Sequence, residues 1–369
     1  MPHFITHSPR VRVSPFYAAT VADGVVSFST YNHMLMPTGY GDPVAEYERL
    51  TNGVSMWDVA VERQVEIRGP DAARLVQVLA PRKLDLLREG VGWYVPLCDH
   101  RGVLINDPVL LKHADDRYWL SIADCDVKLW CQAIAAERGF DVEVFEPDVS
   151  PLAIQGPRAE DVVAALLGDE IRAIRHFHFR SMNLDGIPLV VARSGWSKQG
   201  GFELYLMDGV RGEALWQRVK TAGAPFDIGP GCPNTVERIE SGLLSFGGDT
   251  DHQTNPFEVG LGRYVDLDAP DDVIGIEALR RISSEGVARQ RLGVFIDSEN
   301  HLGYDDGYCD VAVDGEVIGR ITAQVYSERL KSNIGIGLVS TSVAVGDAVT
   351  LVYADGRQLP ARLTALPFI

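Results

Sequence analysis

Cysteine is scarce in this sequence, and its pattern excludes two classes of protein. The 369 residues include five cysteines, an odd number, and no two of them form a C-x-x-C pair. Small secreted domains need dense, paired cysteines, and zinc sites need closely spaced ones. We therefore expect reduced thiols in a cytoplasmic protein and no zinc site.

Long apolar runs and excess positive charge are also missing. No segment approaches the roughly 20 apolar residues of a membrane span, and residues 1–8 lack the basic and apolar stretches of a signal peptide. The net charge is −17, from 34 basic and 51 acidic residues, so the chain repels polyanions. The sequence predicts a cytoplasmic location. The predicted partners are small-molecule substrates, with no nucleic acid and no membrane, and formation of a homodimer is left as a possibility.

Familiar catalytic motifs are absent as well. The chain has no G-x-x-x-x-G-K-[ST] phosphate loop, no H-E-x-x-H and no G-x-S-x-G elbow. Residues 176–179 read as a strand with His176 and His178 on one face, a pattern of some metal sites. No third ligand stands in a recognisable context, so we expect no metal.

Helix and strand signals interleave up to about residue 285. Residues 65–79 and 152–167 share one order, a strand, a Gly-Pro turn and an amphipathic helix, which favours two pseudo-repeated α+β halves. Asn234 predicts the capped start of a third helix that runs to Gly247. Beyond residue 285, short β-type runs separated by Gly and Asp predict an all-β module.

Residues 194–205 carry the most specific chemistry in the chain. Residues 189–192 read as a strand, the glycine-rich residues 197–201 as a turn, and residues 202–207 as the returning strand. The hairpin is therefore hinged on glycine.

Alternation along the returning strand sorts its side chains into two groups. Phe202, Leu204 and Leu206 share the face that meets the core, while Glu203 and Tyr205 point the other way. A carboxylate among aromatic rings suits a flat, nitrogen-rich ligand. The alternative is an ordinary solvated strand face.

Two polar breaks elsewhere carry further hypotheses. Residues 31–34 join an aromatic ring, an amide and an imidazole, with local packing as the alternative to ligand binding. Asp107 interrupts the apolar stretch of residues 103–111, where a carboxylate either caps a turn or faces a cleft.

Together, several segments resemble the folate-binding aminomethyltransferases, the T-protein of glycine cleavage and its relatives. The segments are Trp57-Asp58, residues 64–72 (QVEIRGPDA), residues 201–205 (GFELY), residues 237–249 (ERIESGLLSFGGD) and residues 255–262 (NPFEVGLG). The resemblance implies an α+β, three-domain, cloverleaf-like fold around tetrahydrofolate with a C-terminal β-barrel or jelly-roll domain. It implies these boundaries: residues 1–58 with 141–228, which bind folate, residues 59–140 with 229–284, and residues 285–369.

Within that family the chain resembles the dimethylsulfoniopropionate demethylases. The likeness lies in residues 30–35 (TYNHML), 57–65, 192–201 (ARSGWSKQGG), 231–234 (GCPN) and 366–369 (LPFI). Where the T-protein typically has Tyr-Thr-Gly-Glu before the glycine turn, residues 196–199 read Trp-Ser-Lys-Gln, and where it has paired aspartates this chain has Asn106-Asp107. These departures favour transfer of a methyl group over transfer of an aminomethyl group.

The activity that this resemblance implies is a redox-neutral methyl transfer. A methyl group passes from dimethylsulfoniopropionate to N5 of tetrahydrofolate, the co-substrate, giving 3-(methylthio)propionate and 5-methyltetrahydrofolate. The alternatives are a folate-dependent demethylase of a betaine, an N-methyl amine or an aryl methyl ether, and the aminomethyltransferase of glycine cleavage. A non-catalytic folate-binding relative is expected to carry a Lys-Gly-Cys motif, whereas Cys232 is followed by Pro233.

The resemblance also implies three groups of site residues. The candidate catalytic residues are Asp107, near N5, and Tyr205. The candidate folate-binding residues are Tyr94, Ser121, Ile122, Phe177, Glu203 and Tyr205. The candidate residues for the methyl donor are Tyr31, Asn32, His33, Leu35, Trp196 and Lys198, and of these His33 or Lys198 is expected to hold the substrate carboxylate.

Overall fold

The computed structural model describes residues 10–303 and 306–369, which divide into two compact units. The first unit contains the described chain up to Ala73, together with Leu87–Trp93 and Val109–Pro233. The second contains Arg74–Leu86, Tyr94–Pro108 and the described residues from Asn234 to Ile369. The three-domain division expected from the sequence stays a prediction.

Helices and strands alternate over most of the described chain. Its α-helices are α1 (Tyr17–Ala22), α2 (Pro43–Asn52), α3 (Ala72–Leu79), α4 (Val127–Arg138), α5 (Ala159–Leu167), α6 (Gly212–Gly223), α7 (Thr235–Glu240) and α8 (Ile276–Glu285). Its strands up to the barrel are β1 (Ser27–Tyr31), β2 (Met34–Gly39), β3 (Ser55–Asp58), β4 (Gln64–Arg68), β5 (Val91–Tyr94), β6 (Leu97–Cys98), β7 (Leu104–Asn106), β8 (Val109–Ala114), β9 (Arg117–Ser121), β10 (Glu143–Phe145), β11 (Ser150–Gln155), β12 (Phe179–Leu184), β13 (Ile187–Ala192), β14 (Gly201–Leu206) and β15 (Gly229–Gly231). The barrel strands are β16 (Arg289–Ile296), β17 (Cys309–Val313), β18 (Glu316–Ser327), β19 (Ser332–Ser340), β20 (Ala348–Tyr353) and β21 (Gln358–Thr364).

The first unit is built on a six-stranded sheet in the order β12-β13-β14-β11-β3-β15. One face of this sheet packs on α5 and α6 through buried apolar side chains such as Val163 and Trp216. Phe202, Leu204 and Leu206 of β14 belong to the same core, as their alternation predicts. Burial of this face is the main apolar stabilisation of the unit.

The opposite face of that sheet meets a second layer. A five-stranded sheet in the order β10-β4-β9-β8-β5 contributes Leu111 and Trp119, which pack with Tyr205 of β14 and Phe179 of β12. Glu203 and Tyr205 therefore point away from the helices, as predicted, and into an interior between two sheets. The alternative interpretation, an ordinary solvated strand face, is wrong because both side chains are buried.

The strand, turn and helix order predicted for residues 65–79 and 152–167 is confirmed by β4 with α3 and by β11 with α5. The prediction for residues 176–179 is wrong. Phe177 has φ of +58°, its N–H donates to the carbonyl of Arg193, and strand β12 begins only at Phe179. The left-handed residue interrupts the alternation that would have aligned the two histidines.

The second unit contains a closed barrel in the order β16-β19-β18-β17-β20-β21, which confirms the all-β C-terminal module. Helix α7 begins as predicted, with the Asn234 side chain accepting from the N–H of Glu237 at 3.0 Å. It ends at Glu240 rather than near Gly247. Gly242 has φ of +62° and the N–H of Leu243 returns to the carbonyl of Arg238, so a Schellman motif closes the helix at the first glycine.

No helix in the described ranges combines the length and the apolar character needed to cross a membrane.

Candidate functional site

The predicted hairpin carries the best-defined polar group of the first unit. β13 and β14 pair antiparallel, with Leu189 opposite Leu206 and Ala192 opposite Glu203. Only 6% of Glu203 and 1% of Tyr205 is exposed. Because a buried carboxylate needs hydrogen-bond donors, its partners define what the site can do.

Glu203 receives two hydroxyl hydrogen bonds, and both reach the same oxygen. Ser194 Oγ and Tyr205 Oη donate to Oε2, the latter at 3.1 Å. Burial raises the pKa of Glu203, while the two hydroxyl donors act to lower it. Oε1 receives no hydrogen bond from the described residues, so one acceptor atom is left for a ligand.

The loop between the two strands is folded around one buried amide. Gln155 donates from Nε2 to the carbonyl of Ser194 at 3.1 Å and accepts from Ser197 Oγ at 2.7 Å. A Cβ atom on Gly195 would lie 2.0 Å from Gln155 Nε2, and one on Gly201 would lie 2.3 Å from the carbonyl oxygen of Ile154. Both glycines are therefore required for the loop to close over Gln155.

Ser121 and Ile122 lie where β9 ends, beside the same carboxylate network. Ser121 accepts from Gln64 Nε2 at 2.9 Å, and its hydroxyl lies close enough to Tyr205 to oppose the burial that raises the pKa of that phenol. Ile122 is buried, and its N–H donates to the carbonyl of Arg63. The structure thus joins two predicted folate residues, Glu203 and Tyr205, by a hydrogen bond, and it places a third, Ser121, next to Tyr205.

Phe177 is held next to the loop by its backbone. Its N–H donates to the carbonyl of Arg193, and its carbonyl accepts from Gly92 N–H at 2.7 Å. The half-buried ring contacts His176. Phe177 is therefore bound to Arg193, the residue directly before Ser194.

Four of the residues predicted for the methyl donor, Tyr31, Asn32, His33 and Leu35, lie at or beside the hairpin turn between β1 and β2. Asn32 and His33 have φ of +48° and +60°, which joins Tyr31 to Met34 by a two-residue turn. Asn32 donates from Nδ2 to the carbonyls of Val61 and Ala123 and accepts at Oδ1 from the N–H of Cys125. Its side chain holds this turn against the segment that follows Ile122.

Apart from the buried Asn32, the residues predicted for the methyl donor differ in how far their side chains are exposed. Leu35 is buried, Tyr31 and Trp196 are half-buried, and His33 and Lys198 are exposed. His33 Nε2 lies 3.6 Å from Asp126 Oδ1, so a carboxylate neighbour competes there for any anionic ligand. Lys198 is close enough to His176 to lower the pKa of that imidazole, although burial has the larger effect. His33 and Lys198 therefore both stay predicted partners of a substrate carboxylate.

Tyr94 and Asp107 lie in the second unit and form a pair. Tyr94 Oη donates to Asp107 Oδ2. Burial raises the pKa of Asp107 to about 7; the Tyr94 hydrogen bond opposes the rise and the charge of Asp249 adds to it. Asp107 is therefore a buried carboxyl group bound to a phenol.

Sequence reasoning missed the residues that hold these groups. Gln64 and Gln155 are buried amides that support Ser121 and the glycine loop, and Ser194 binds Glu203 across the hairpin. A buried triad in the second unit, Arg238 and Arg291 around Asp249, was missed as well. The only sequence signal for Gln155 is its position at the end of an apolar strand, directly before a glycine.

Within residues 10–303 and 306–369, no three His, Cys, Asp or Glu side chains are placed to hold a metal ion. The expectation that the protein needs no metal stays a prediction.

Comparison with known proteins gives consistent matches along the chain. The family description "GCVT N-terminal domain" matches residues 16–269, and "Glycine cleavage T-protein C-terminal barrel domain" matches residues 289–369. The chain is 45% identical over 352 residues to the dimethylsulfoniopropionate demethylase of Ruegeria pomeroyi, covering 95% of this chain and 96% of that protein. It is 31% identical over 326 residues to the aminomethyltransferase of Clostridium botulinum, covering 85% of each.

A solved structure supports the fold. The glycine cleavage system aminomethyltransferase T from Bartonella henselae superposes with a TM-score of 0.84 at 21% identity, covering 97% of this chain and 98% of that one. At this identity the likeness concerns the fold alone, and it confirms the aminomethyltransferase-type α+β fold with its C-terminal barrel. With both family descriptions matched and a relative at 45% identity over nearly the whole length, the chain belongs to the glycine cleavage T-protein (GCVT) family.

Proposed function

We propose that this protein is a tetrahydrofolate-dependent demethylase that transfers a methyl group from dimethylsulfoniopropionate to N5 of tetrahydrofolate. The products are 3-(methylthio)propionate and 5-methyltetrahydrofolate. The choice of donor is supported by the 45% identity to the demethylase of Ruegeria pomeroyi. The choice of acceptor is supported by one observation above all, the buried Glu203 with a single oxygen left for a ligand.

The Glu203 group fits the aminopyrimidine end of a folate. This end of the ligand offers N–H donors, and a buried carboxylate is their strongest acceptor. Ser194 and Tyr205 fix Oε2, so Oε1 keeps one direction before any ligand arrives. We assign Ser121, Ile122 and Phe177 to the walls of this site, and Tyr94 to the same ligand through its pairing with Asp107.

The donor end needs shape and charge tolerance rather than a nucleophile. A sulfonium carries its own leaving group: the new bond forms between methyl carbon and N5, and the pair of the broken S–C bond stays on sulfur. Positioning of the two substrates supplies most of the acceleration. The aromatic faces of Tyr31 and Trp196 attract the sulfonium by about 0.5 to 2 kcal/mol. Leu35 supplies an apolar wall, and His33 or Lys198 holds the carboxylate.

Asp107 is proposed to take the proton that N5 loses. A carboxyl with a pKa of about 7 exchanges a proton readily near neutrality. Tyr94 fixes the orientation of this carboxyl through its hydrogen bond. Tyr205, assigned to catalysis as well as to binding, acts here by orienting Glu203.

We extend the proposal to the setting of the reaction. The protein acts in one-carbon and sulfur metabolism in the cytoplasm, on small molecules, without a metal and without nucleic acid or membrane as partner. The strongly acidic composition supports the exclusion of polyanions.

The test is a donor comparison with the purified protein and tetrahydrofolate. Dimethylsulfoniopropionate, glycine betaine, an N-methyl amine and an aryl methyl ether are each supplied in parallel, and 5-methyltetrahydrofolate is measured by mass spectrometry. We expect product from the sulfonium alone. Product from another donor, with none from the sulfonium, would transfer the assignment to that donor class.

A further inference from the structure

The loop between β13 and β14 is held at two points by one buried side-chain amide. Gln155 is the last residue of β11, lies opposite Gly201 of β14, and is 1% exposed. Its Nε2 donates to the carbonyl oxygen of Ser194 at 3.1 Å, and its Oε1 accepts from Ser197 Oγ at 2.7 Å. Since a backbone carbonyl can only accept a hydrogen bond, the NH2 end of the amide is fixed on Ser194 and the oxygen on Ser197.

The same amide anchors the loop to the sheet. Gln155 Nε2 lies 3.3 Å from the carbonyl oxygen of Ile154 and 3.5 Å from that of Phe202, so it stands between neighbouring strands. A Cβ atom on Gly195 would lie 2.0 Å from Nε2, and one on Gly201 would lie 2.4 Å from it. The loop therefore packs directly on the amide, and a shift of the loop would break these contacts together.

The first of the two points leads to the folate-binding carboxylate. Ser194 is 8% exposed, its carbonyl accepts from Gln155, and its Oγ donates to Glu203 Oε2. Gln155 thus fixes the backbone of the residue whose hydroxyl orients Glu203.

The second point leads to the tryptophan assigned to the methyl donor. Trp196 lies between Gly195, whose φ is +146°, and Ser197. Because glycine allows many backbone conformations, the chain on the Gly195 side does little to fix the direction of the indole ring. The hydrogen bond from Ser197 to Gln155 fixes the other side.

We propose that Gln155 is a positioning residue that serves both substrates of the proposed reaction. Its NH2 end holds Ser194, and so the Glu203 carboxylate, for the folate. Its oxygen holds Ser197, and so the Trp196 ring, for the methyl donor. The inference rests on the proposed function, which supplies the two substrates, and it assigns to one residue an effect on both of them.

The test measures both substrates in one variant. Gln155→Met removes both hydrogen bonds with little change in side-chain size. The dissociation constant of tetrahydrofolate, measured by titration calorimetry, should rise about tenfold, and KM for dimethylsulfoniopropionate should rise about fivefold. At saturation with both substrates, kcat should stay within about twofold of the parent value, because the lost contacts act on binding.

Two serine variants separate the ends of the amide. Ser194→Ala should weaken folate binding alone, and Ser197→Ala should raise KM for the donor alone. Combining Gln155→Met with Ser197→Ala should raise the donor KM no further than Gln155→Met does, because the two residues share one hydrogen bond.

The matched control is Gln324→Met in the barrel of the second unit. Gln324 is 4% exposed, accepts from Tyr353 Oη at 2.7 Å and donates from Nε2 to the carbonyl of Gly307 at 2.9 Å. It therefore makes the same pair of hydrogen bonds, one to a hydroxyl and one to a backbone carbonyl. The control should lose stability, as Gln155→Met does, with both substrate constants unchanged.

The inference is overturned if folded Gln155→Met changes neither constant or only one, if Gln324→Met changes them equally, or if the donor effects multiply in the double variant. If Gln155→Met does not fold, Ser197→Ala decides. A rise of about fivefold in donor KM with unchanged folate affinity supports the inference, and any other result refutes it. A parent protein that binds no tetrahydrofolate or transfers no methyl group to it refutes the proposed function, whereas effects confined to the variants test Gln155 alone.

Discussion

Two of the predicted site residues are buried carboxyl groups, Glu203 in the first compact unit and Asp107 in the second, and their surroundings differ. Glu203 in the first unit faces two hydroxyl donors, from Ser194 and Tyr205. Asp107 in the second faces one phenol donor, from Tyr94, and feels the negative charge of Asp249. Burial raises the pKa of both, so burial alone does not separate their roles.

The difference in neighbours assigns the roles. Two donors on one oxygen favour a fixed anion, which suits recognition of ligand N–H groups. One donor and a nearby anion bring the pKa of Asp107 to about 7, which suits proton transfer. The first unit is therefore expected to control affinity for the folate, and the second to control the rate of the reaction.

The largest effect should come from Asp107→Asn. An amide cannot accept the proton, so kcat should fall about a hundredfold, with folate affinity nearly unchanged. In the parent protein the deprotonated form is the active base, so kcat/KM should rise with pH through about 7, and this limb should vanish in the variant. Steady-state rates from pH 5 to 9 check both statements.

The control for that variant is Asp310→Asn, an exposed aspartate on barrel strand β17 of the same unit. It should keep both the rate and the pH limb. A pH limb that persists in Asp107→Asn would mean that another group handles the proton.

Glu203→Gln should raise the dissociation constant of tetrahydrofolate about fiftyfold, because hydrogen bonds to a charged acceptor contribute about 1.5 to 3 kcal/mol each. At saturating folate, kcat should be nearly normal. Titration calorimetry measures the affinity, with Glu46→Gln as the control, since Glu46 is another buried glutamate of the first unit. Equal effects in the two variants would show that any buried carboxylate change disturbs folate binding.

Trp196→Ala should act on the methyl donor alone. Loss of a cation–π contact predicts a rise of about fivefold to tenfold in KM for dimethylsulfoniopropionate, with unchanged folate affinity. Trp130→Ala, which removes another half-buried tryptophan of the first unit, is the matched control. A change in folate affinity in Trp196→Ala would contradict the assignment of Trp196 to the methyl donor alone.

Asp58 is a further buried carboxyl group that can be compared with Glu203 and Asp107, and both of its oxygens accept hydrogen bonds. Ser14 Oγ donates to Oδ2, and the N–H of Ala60 donates to Oδ1 at 3.2 Å. Burial raises its pKa to about 6. Because the folded-state pKa lies above the unfolded value of about 3.9, the neutral form stabilises the fold below about pH 4, and this contribution is lost as pH rises through about 6.

The variant Asp58→Asn stays neutral at every pH. Its unfolding free energy relative to the parent should therefore shift in its favour by about 2 kcal/mol between pH 4 and pH 7.5, with no change in folate affinity. Urea denaturation at the two pH values measures this shift. A difference that does not depend on pH would show that Asp58 is ionised in the folded protein.

The sequence predicts those parts of the site that depend on local periodicity. Alternation places Glu203 and Tyr205 on one face, and the glycines mark the loop that closes over Gln155. It does not predict that a second sheet covers this face, because Trp119 and Leu111 come from strands about 80 to 90 residues earlier in the chain. Ser121 and Phe177 entered through family resemblance, and their geometry required the structure.

Two corrections have the same origin. Helix α7 ends at Glu240 because Gly242, not Gly247, takes the left-handed conformation, and the two histidines lose their common face because Phe177 does so too. Several glycines compete as helix ends in one sequence, and a non-glycine residue with positive φ leaves almost no sequence signal.

The most direct test of the account follows the methyl group itself. Dimethylsulfoniopropionate with fully deuterated methyl groups is incubated with the protein and tetrahydrofolate, and the folate product is analysed by mass spectrometry. Direct transfer predicts 5-methyltetrahydrofolate that keeps all three deuterium atoms of one methyl group. An unlabelled product, or a methylene derivative with deuterium lost, would contradict methyl transfer and favour the aminomethyl chemistry of the wider family.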